Sequence, residues 1–275
     1  RLGAALWRFW DKRGYLSEGI AWLEQALALA GQPQAAALPS AVRANALNGA
    51  GVLAWAQNRY TRALELLEAS LALRREQADT RGIASSLNNM ALIAQDQGDY
   101  RRAQAFYEES LVLRRGLGDQ WGVAMSLNNL GTVMEDQGDD AQAQVFYEES
   151  LARYRELGDK QGIAEALANL GAVIVRRGEQ ARASALLRES LLLYRELGLK
   201  EGLAVVLINL GRAALHQHDP AAAAPLYRES LGLCHELGNA RGAAEAIEGL
   251  AQVAEAQARY RQAAHLGAAA QALRE

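Results

Sequence analysis

The 275-residue sequence predicts an all-α fold, a right-handed solenoid of seven helical hairpins, and three observations carry that prediction. The first is self-similarity: the stretches beginning at Arg81 and at Trp121 agree without a gap at roughly half their positions. Their spacing, read from Leu87 to Leu127, is 40 residues, and Leu47, Leu167, Leu207 and Ile247 continue it. A fixed period of this size marks an array in which each repeat is one supersecondary unit. The second is that apolar residues within a repeat recur at three- and four-residue intervals, the stripe of an amphipathic helix. The third is that β-branched alternation never lasts long enough to make a strand.

Taken in order, the hairpins are expected at residues 1–30, 41–77, 81–117, 121–157, 161–197, 201–237 and 241–275, as a single domain. The first is rich in aromatics, with Trp7, Phe9, Trp10, Tyr15 and Trp22. Aligning Gly14 with Gly98 puts Trp7 where later repeats carry Gly or Ala, so this hairpin is expected to pack differently. Either it has a larger local core, or it is an N-terminal cap whose outer face docks on a preceding domain. Residues 31–40, with two prolines, form the one long connection. In the fourth hairpin Val123, Leu127, Leu130 and Met134 stripe the first helix, and Ala143, Phe146, Tyr147, Ser150 and Leu151 the second. Gly138-Asp139 between them is a stop and restart, glycine supplying a left-handed C-terminal residue and aspartate an N-cap. Gly118-Asp119 and Gly158-Asp159 do the same between repeats. The alanine-rich stretch after Arg259 keeps second-helix spacing and is expected to be a terminal cap.

Composition bounds the function. Half of the residues are apolar and the formal charge is −3, so no strong field toward nucleic acid or an anionic membrane is implied. Cys234 is the single cysteine, which excludes an internal disulfide framework and fits a reducing cytoplasm. No apolar run is long enough for a membrane span. The chain opens at Arg1 without Met or a signal peptide, so it is expected to be a portion of a longer protein.

These landmarks resemble the tetratricopeptide repeats. The first-helix pair appears as Leu130-Gly131, Leu170-Gly171 and Leu210-Gly211. The second-helix alanine appears as Ala63, Ala103, Ala143, Ala183, Ala223 and Ala263, and the following aromatic as Tyr107, Tyr147 and Tyr227. The chain departs from the common 34-residue repeat in lacking its early Trp and its closing Pro, and is similar to the 40-residue variant of kinesin light chains and bacterial signalling proteins. The aromatic opening and the alanine-rich close further resemble the C-terminal half of bacterial signal-transduction ATPases with numerous domains, including large ATP-dependent transcriptional regulators. That resemblance implies a sensor arm behind a nucleotide-binding switch. There is no phosphate-loop motif here, so any ATPase domain would precede Arg1.

The most informative polar feature is an asparagine recurring at one helical position: Asn89, Asn129, Asn169 and Asn209, with Asn48, Asn88 and Asn128 one residue earlier. Mid-helix asparagine competes with the helix for backbone bonds, so its recurrence asks for a compensation. Asn129 lies opposite Leu127, beside Met125, Thr132 and Asp136. The family resemblance implies that this face lines a groove where the amides bind the main chain of an extended peptide. The alternative is that the amides bond one another across neighbouring first helices and stiffen the array. Charges on the same face grade from acidic (Asp96, Glu135, Asp136) to basic (Arg176, Arg212, His216) and back to acidic (Glu245, Glu248, Glu255). Such a run orients a charged ligand or is simply a solvated face. The lysines of a carboxylate clamp are missing, since Ser85, Met125, Glu165, Val205 and Glu245 stand where they belong.

No catalytic set, cofactor site or metal site is expected. His216 and His218 diverge on a helix, Cys234 sits in a slot that Tyr154 and Tyr194 occupy elsewhere and reads as packing, and Ser110 with its equivalents is a small residue at a close helix approach. The leading expectation is a non-enzymatic protein- or peptide-binding sensor and scaffold; a small-molecule sensor and a self-association element remain open beside it.

Overall fold

The computed structural model describes residues 6–7, 9–10, 13–30 and 38–274. Among these are thirteen helices and no strand: α1 (Leu16–Ala30), α2 (Ser40–Ala56), α3 (Tyr60–Glu76), α4 (Thr80–Asp96), α5 (Tyr100–Gly116), α6 (Gln120–Asp136), α7 (Asp140–Leu157), α8 (Lys160–Arg176), α9 (Gln180–Leu197), α10 (Lys200–His216), α11 (Pro220–Leu237), α12 (Ala240–Ala256) and α13 (Tyr260–Ala272). The even-numbered first helices from α2 to α12 start 40 residues apart, one residue ahead of the expected hairpin starts. Part of the first expected hairpin and most of the 31–40 connection lie outside the described residues.

The chain forms two compact units, Arg1–Val133 and Met134–Glu275. In the first, α2 pairs with α3 and α4 with α5, while α1 packs on α2, α3 on α4, and α2 reaches α4. In the second, α8 pairs with α9, α10 with α11 and α12 with α13, and α10 touches both α8 and α12. Trp10, Ile20 and Leu23 join Leu47, Leu53 and Leu67 in one buried cluster, with Trp7 packed against it. Of the five aromatics of the first hairpin, Trp7 and Trp10 thus belong to the local core, and Phe9, Tyr15 and Trp22 stay exposed.

Turn chemistry follows the sequence. Gly138 has φ +80°, and Asp139 caps α7 by accepting from the Gln142 N–H at 3.0 Å. Asp79, Asp99, Asp159, Asp219 and Asn239 cap their helices in the same way, satisfying N–H groups that have no partner within the helix.

Two repeated contacts set the helix spacing inside a hairpin. The first-helix glycine lies under a second-helix side chain: a Cβ on Gly171 would meet Leu187 at 2.6 Å, and one on Gly211 would meet Tyr227 at 2.7 Å. The small serine of the second helix is fully buried and donates to a first-helix carbonyl, Ser110 to Ala84 at 3.0 Å, Ser190 to Ala164 at 2.7 Å and Ser230 to Ala204 at 2.9 Å. On the outer surface successive second helices exchange exposed ion pairs such as Arg155–Glu189 and Arg195–Glu229, both 2.8 Å. Pairs this exposed contribute little individually.

Candidate ligand-binding site

In the first unit, α2, α4 and the start of α6, with Arg74 of α3 and Arg114 of α5, line an open cavity of about 730 Å³, a size typical of ligand sites. Its wall carries amides from Asn45, Asn48, Asn88 and Asn89, the Ser85 hydroxyl, and the guanidinium groups of Arg74, Arg81 and Arg114. Trp7 and Trp121 supply aromatic surface.

The amides meet across neighbouring first helices. Asn89 Nδ2 donates to Asn48 Oδ1, and Asn129 Nδ2 to Asn88 Oδ1, each at 3.2 Å. Both bonds span 41 residues, one period plus one position, which is why the asparagines come in adjacent pairs. The earlier position is buried and accepts, as Asn48 and Asn88 do; the later position, Asn89 or Asn129, is half-buried and donates. An amide has two N–H groups and a carbonyl, so one bond leaves the half-buried member with capacity for a ligand. The ladder position is glycine at both ends, because an aromatic ring covers it there: a Cβ on Gly49 would lie 2.8 Å from Trp7, and one on Gly249 2.2 Å from Tyr227.

The remaining predicted positions fall elsewhere. Asn128 is buried, Asn169 is half-buried in α8, and Asn209 is buried with its carbonyl accepting from Arg212 at 3.1 Å. Asp136 is exposed at the end of α6. Much of the expected run of charges is internally engaged. Trp55 Nε1 donates to Asp96 at 2.5 Å, Arg176 bridges Asp140 at 2.7 Å and Glu135 at 2.9 Å, and Arg212 meets Glu245 at 3.0 Å. The same 41-residue relation explains Trp55 with Asp96 and Glu135 with Arg176: last turns of neighbouring first helices overlap, so charges that look free in sequence are hydrogen-bonded or paired. Hydrogen bonding to Asp140 raises the pKa of Arg176 against the opposing effect of burial.

Sequence reasoning missed Arg74 and Arg114. They occupy the slot of Tyr154, Tyr194 and Cys234, whose side chains lie where a Cβ on Gly162, Gly202 and Gly242 would be. Cys234 is buried there, as expected, and burial raises its thiol pKa. Arg74 is only 5% exposed; it donates to the Gly82 carbonyl at 2.5 Å, the Ser86 hydroxyl at 3.0 Å and the Asn45 amide oxygen at 2.9 Å. Arg114 donates to Ser110 at 3.1 Å and pairs with Asp119 at 3.3 Å. The available signal was the 40-residue step from Tyr154 back to two arginines.

Among the described residues no group of His, Cys, Asp and Glu side chains is arranged to hold a metal ion, and no helix is long and apolar enough to cross a membrane. Asp79 and Asp119 on the cavity wall are engaged as helix caps.

Comparison with curated protein sequences finds no match. Among solved structures, apo RapI is similar over 99% of this chain and 96% of its own, with 14% identity and a TM-score of 0.81. Aspartyl phosphate phosphatase F from Bacillus subtilis is similar over 99% of this chain and 68% of its own, with 12% identity and a TM-score of 0.79. The Rap conjugation gene regulator of plasmid pLS20, solved in complex with the Phr* peptide, is similar over 99% and 74%, with 14% identity and a TM-score of 0.72. At these identities the likeness is one of fold. The family described as Tetratricopeptide repeat matches residues 42–116, 82–156, 122–196 and 162–236, and overlapping matches across most of the sequence, on hairpins of this geometry, show that the chain belongs to the tetratricopeptide-repeat family.

Proposed function

We propose that the chain is a non-catalytic, peptide- or protein-binding module of a regulatory protein, holding an extended ligand along the amide-lined first helices. The observation that carries this reading is the cavity of about 730 Å³, where half-buried Asn89 stands among the buried amides of Asn48 and Asn88. Amides match a peptide main chain whatever its side chains, and each bond contributes roughly 1 kcal/mol net, giving register and moderate affinity. The structurally similar plasmid regulator with a bound peptide supports the same reading. The unbroken 40-residue period supports one array of seven hairpins. The resemblance of the two ends supports a place in the cytoplasm as the arm of a signal-transduction ATPase. A second reading, a small-molecule sensor, is favoured by the compactness of the same cavity and its convergent polar lining.

The test is selection against a displayed library of extended peptides, repeated with the Asn89→Ala/Asn129→Ala double variant. Peptides captured by the wild type and lost by the variant, with thermal unfolding little changed, are expected. Capture indifferent to both amides would overturn the groove.

A further inference from the structure

Arg74 is a buried cation that, among the described residues, touches no carboxylate; Asp79 acts on it only at longer range. Its hydrogen-bond partners are a carbonyl, a hydroxyl and an amide oxygen, all neutral, and its Nε–H has no partner. Among the described residues no carboxylate lies within ion-pair distance, whereas Arg114, the next residue in the same slot, has Asp119 at 3.3 Å. Burying a guanidinium without an anion in contact is costly: desolvation lowers the Arg74 pKa, and the charge of Asp79 opposes this only in part.

Packing does not demand the charge. The equivalent positions in the second unit are filled by Tyr154, Tyr194 and Cys234 against the same glycine. The arginine does line the cavity, whose three guanidinium groups, on Arg74, Arg81 and Arg114, face two carboxylates, on Asp79 and Asp119. One positive charge is left over. A cavity of about 730 Å³ has room for far more than a small ion, so an anionic group attached to a larger body fits it.

We propose that Arg74 is the anchor for a carboxylate of the ligand, the rest of which occupies the cavity between Trp7 and Trp121. This rests on the cavity being a binding site but not on the ligand being a peptide, since a chain terminus, an acidic side chain and a small organic acid share the chemistry. Guanidinium and carboxylate are matched in shape and charge, and in a desolvated site such a pair is among the stronger polar contacts.

The experiment is an arginine Nε–H NMR titration of the full chain, with the Arg74 signal assigned through Arg74→Tyr, a variant that places in this slot the residue the second unit uses. Four probes are compared: N-acetyl-trialanine with a free C-terminus, its C-terminal amide, N-acetyl-Ala-Asp-Ala amide, and succinate. Carboxylate-bearing probes are expected to shift Arg74 at millimolar concentration and to bind roughly ten-fold more tightly than the neutral amide. Arg74→Tyr should unfold no earlier than wild type and, by isothermal calorimetry, should bind the acids no more tightly than the neutral amide. The best of the three acids identifies the source of the carboxylate. Absence of any Arg74 shift, or equal response to acid and amide, overturns the anchor, and that titration needs no variant. If acids bind while the library yields no peptide, the peptide reading fails and the anchor stands. Selected peptides indifferent to amidation and to Asp→Asn would leave the groove and remove the anchor.

Discussion

Gly249 occupies the ladder position filled by Asn89, Asn129, Asn169 and Asn209, so a repeat-averaged sequence would place asparagine there. Any side chain at this site is expected to destabilise the protein. A Cβ would lie 2.2, 2.3 and 2.5 Å from three ring atoms of Tyr227, more than 1 Å inside ordinary contact. The same ring also lies against Gly211, where a Cβ would be 2.7 Å away. An exposed helical Gly→Ala change gains about 1 kcal/mol, and overpacking a core costs about 1–3 kcal/mol. With a buried ring packed against both glycines the upper end applies, leaving Gly249→Ala about 2 kcal/mol less stable. For a chain of this size that lowers the thermal midpoint by about 4–8 °C. Because repeat arrays unfold in segments, amide exchange in α12 and α13 should report the loss alongside circular dichroism. Tyr227→Leu introduces the residue that Leu187 supplies at the same slot, and in that background Gly249→Ala should be nearly neutral. A higher midpoint for Gly249→Ala alone would refute the claim that the ring covers this position.

Two further predictions concern buried polar groups. Ser190→Ala removes one buried bond to Ala164 and should cost about 1 kcal/mol in chemical denaturation; Ser110→Ala also takes the acceptor from the Arg114 Nε–H and should cost about 1–2 kcal/mol more. Burial pushes the Tyr227 hydroxyl up to about 12, partly opposed by Arg212. A pKa raised on folding gives stability that is complete below the unfolded value of about 10 and is lost as pH rises through the folded value. Stability should therefore fall between about pH 10 and 12, with a matching tyrosinate signal. Tyr227→Phe should abolish that component of the fall and be no less stable at neutral pH, since the hydroxyl is buried without a partner.

The fold was legible because independent signals coincide: the 40-residue step and the helical stripe throughout, and the glycine-aspartate restart in the middle repeats. Each is local, so each survives without knowledge of neighbouring hairpins. The site was legible only in part. The asparagines were identifiable as unusual, but peptide binding and mutual bonding both explain an amide at this position. In the structure Asn89 bonds Asn48 and keeps spare capacity. The charges misled because pairing across a 41-residue step is invisible until first helices are stacked, as for Glu135 with Arg176. Arg74 escaped notice because it sits beside Arg75, and residue type does not say which of two adjacent arginines is buried.

The central claim, that ligand is held along the first helices of the first unit, is tested most directly by amide hydrogen exchange on the full chain with and without a library-selected peptide. Added protection concentrated in α2, α4 and the first turns of α6, and abolished by Asn89→Ala/Asn129→Ala, is the predicted result. Protection confined to the second helices α3 and α5, or to the exposed faces around Trp22, would contradict it.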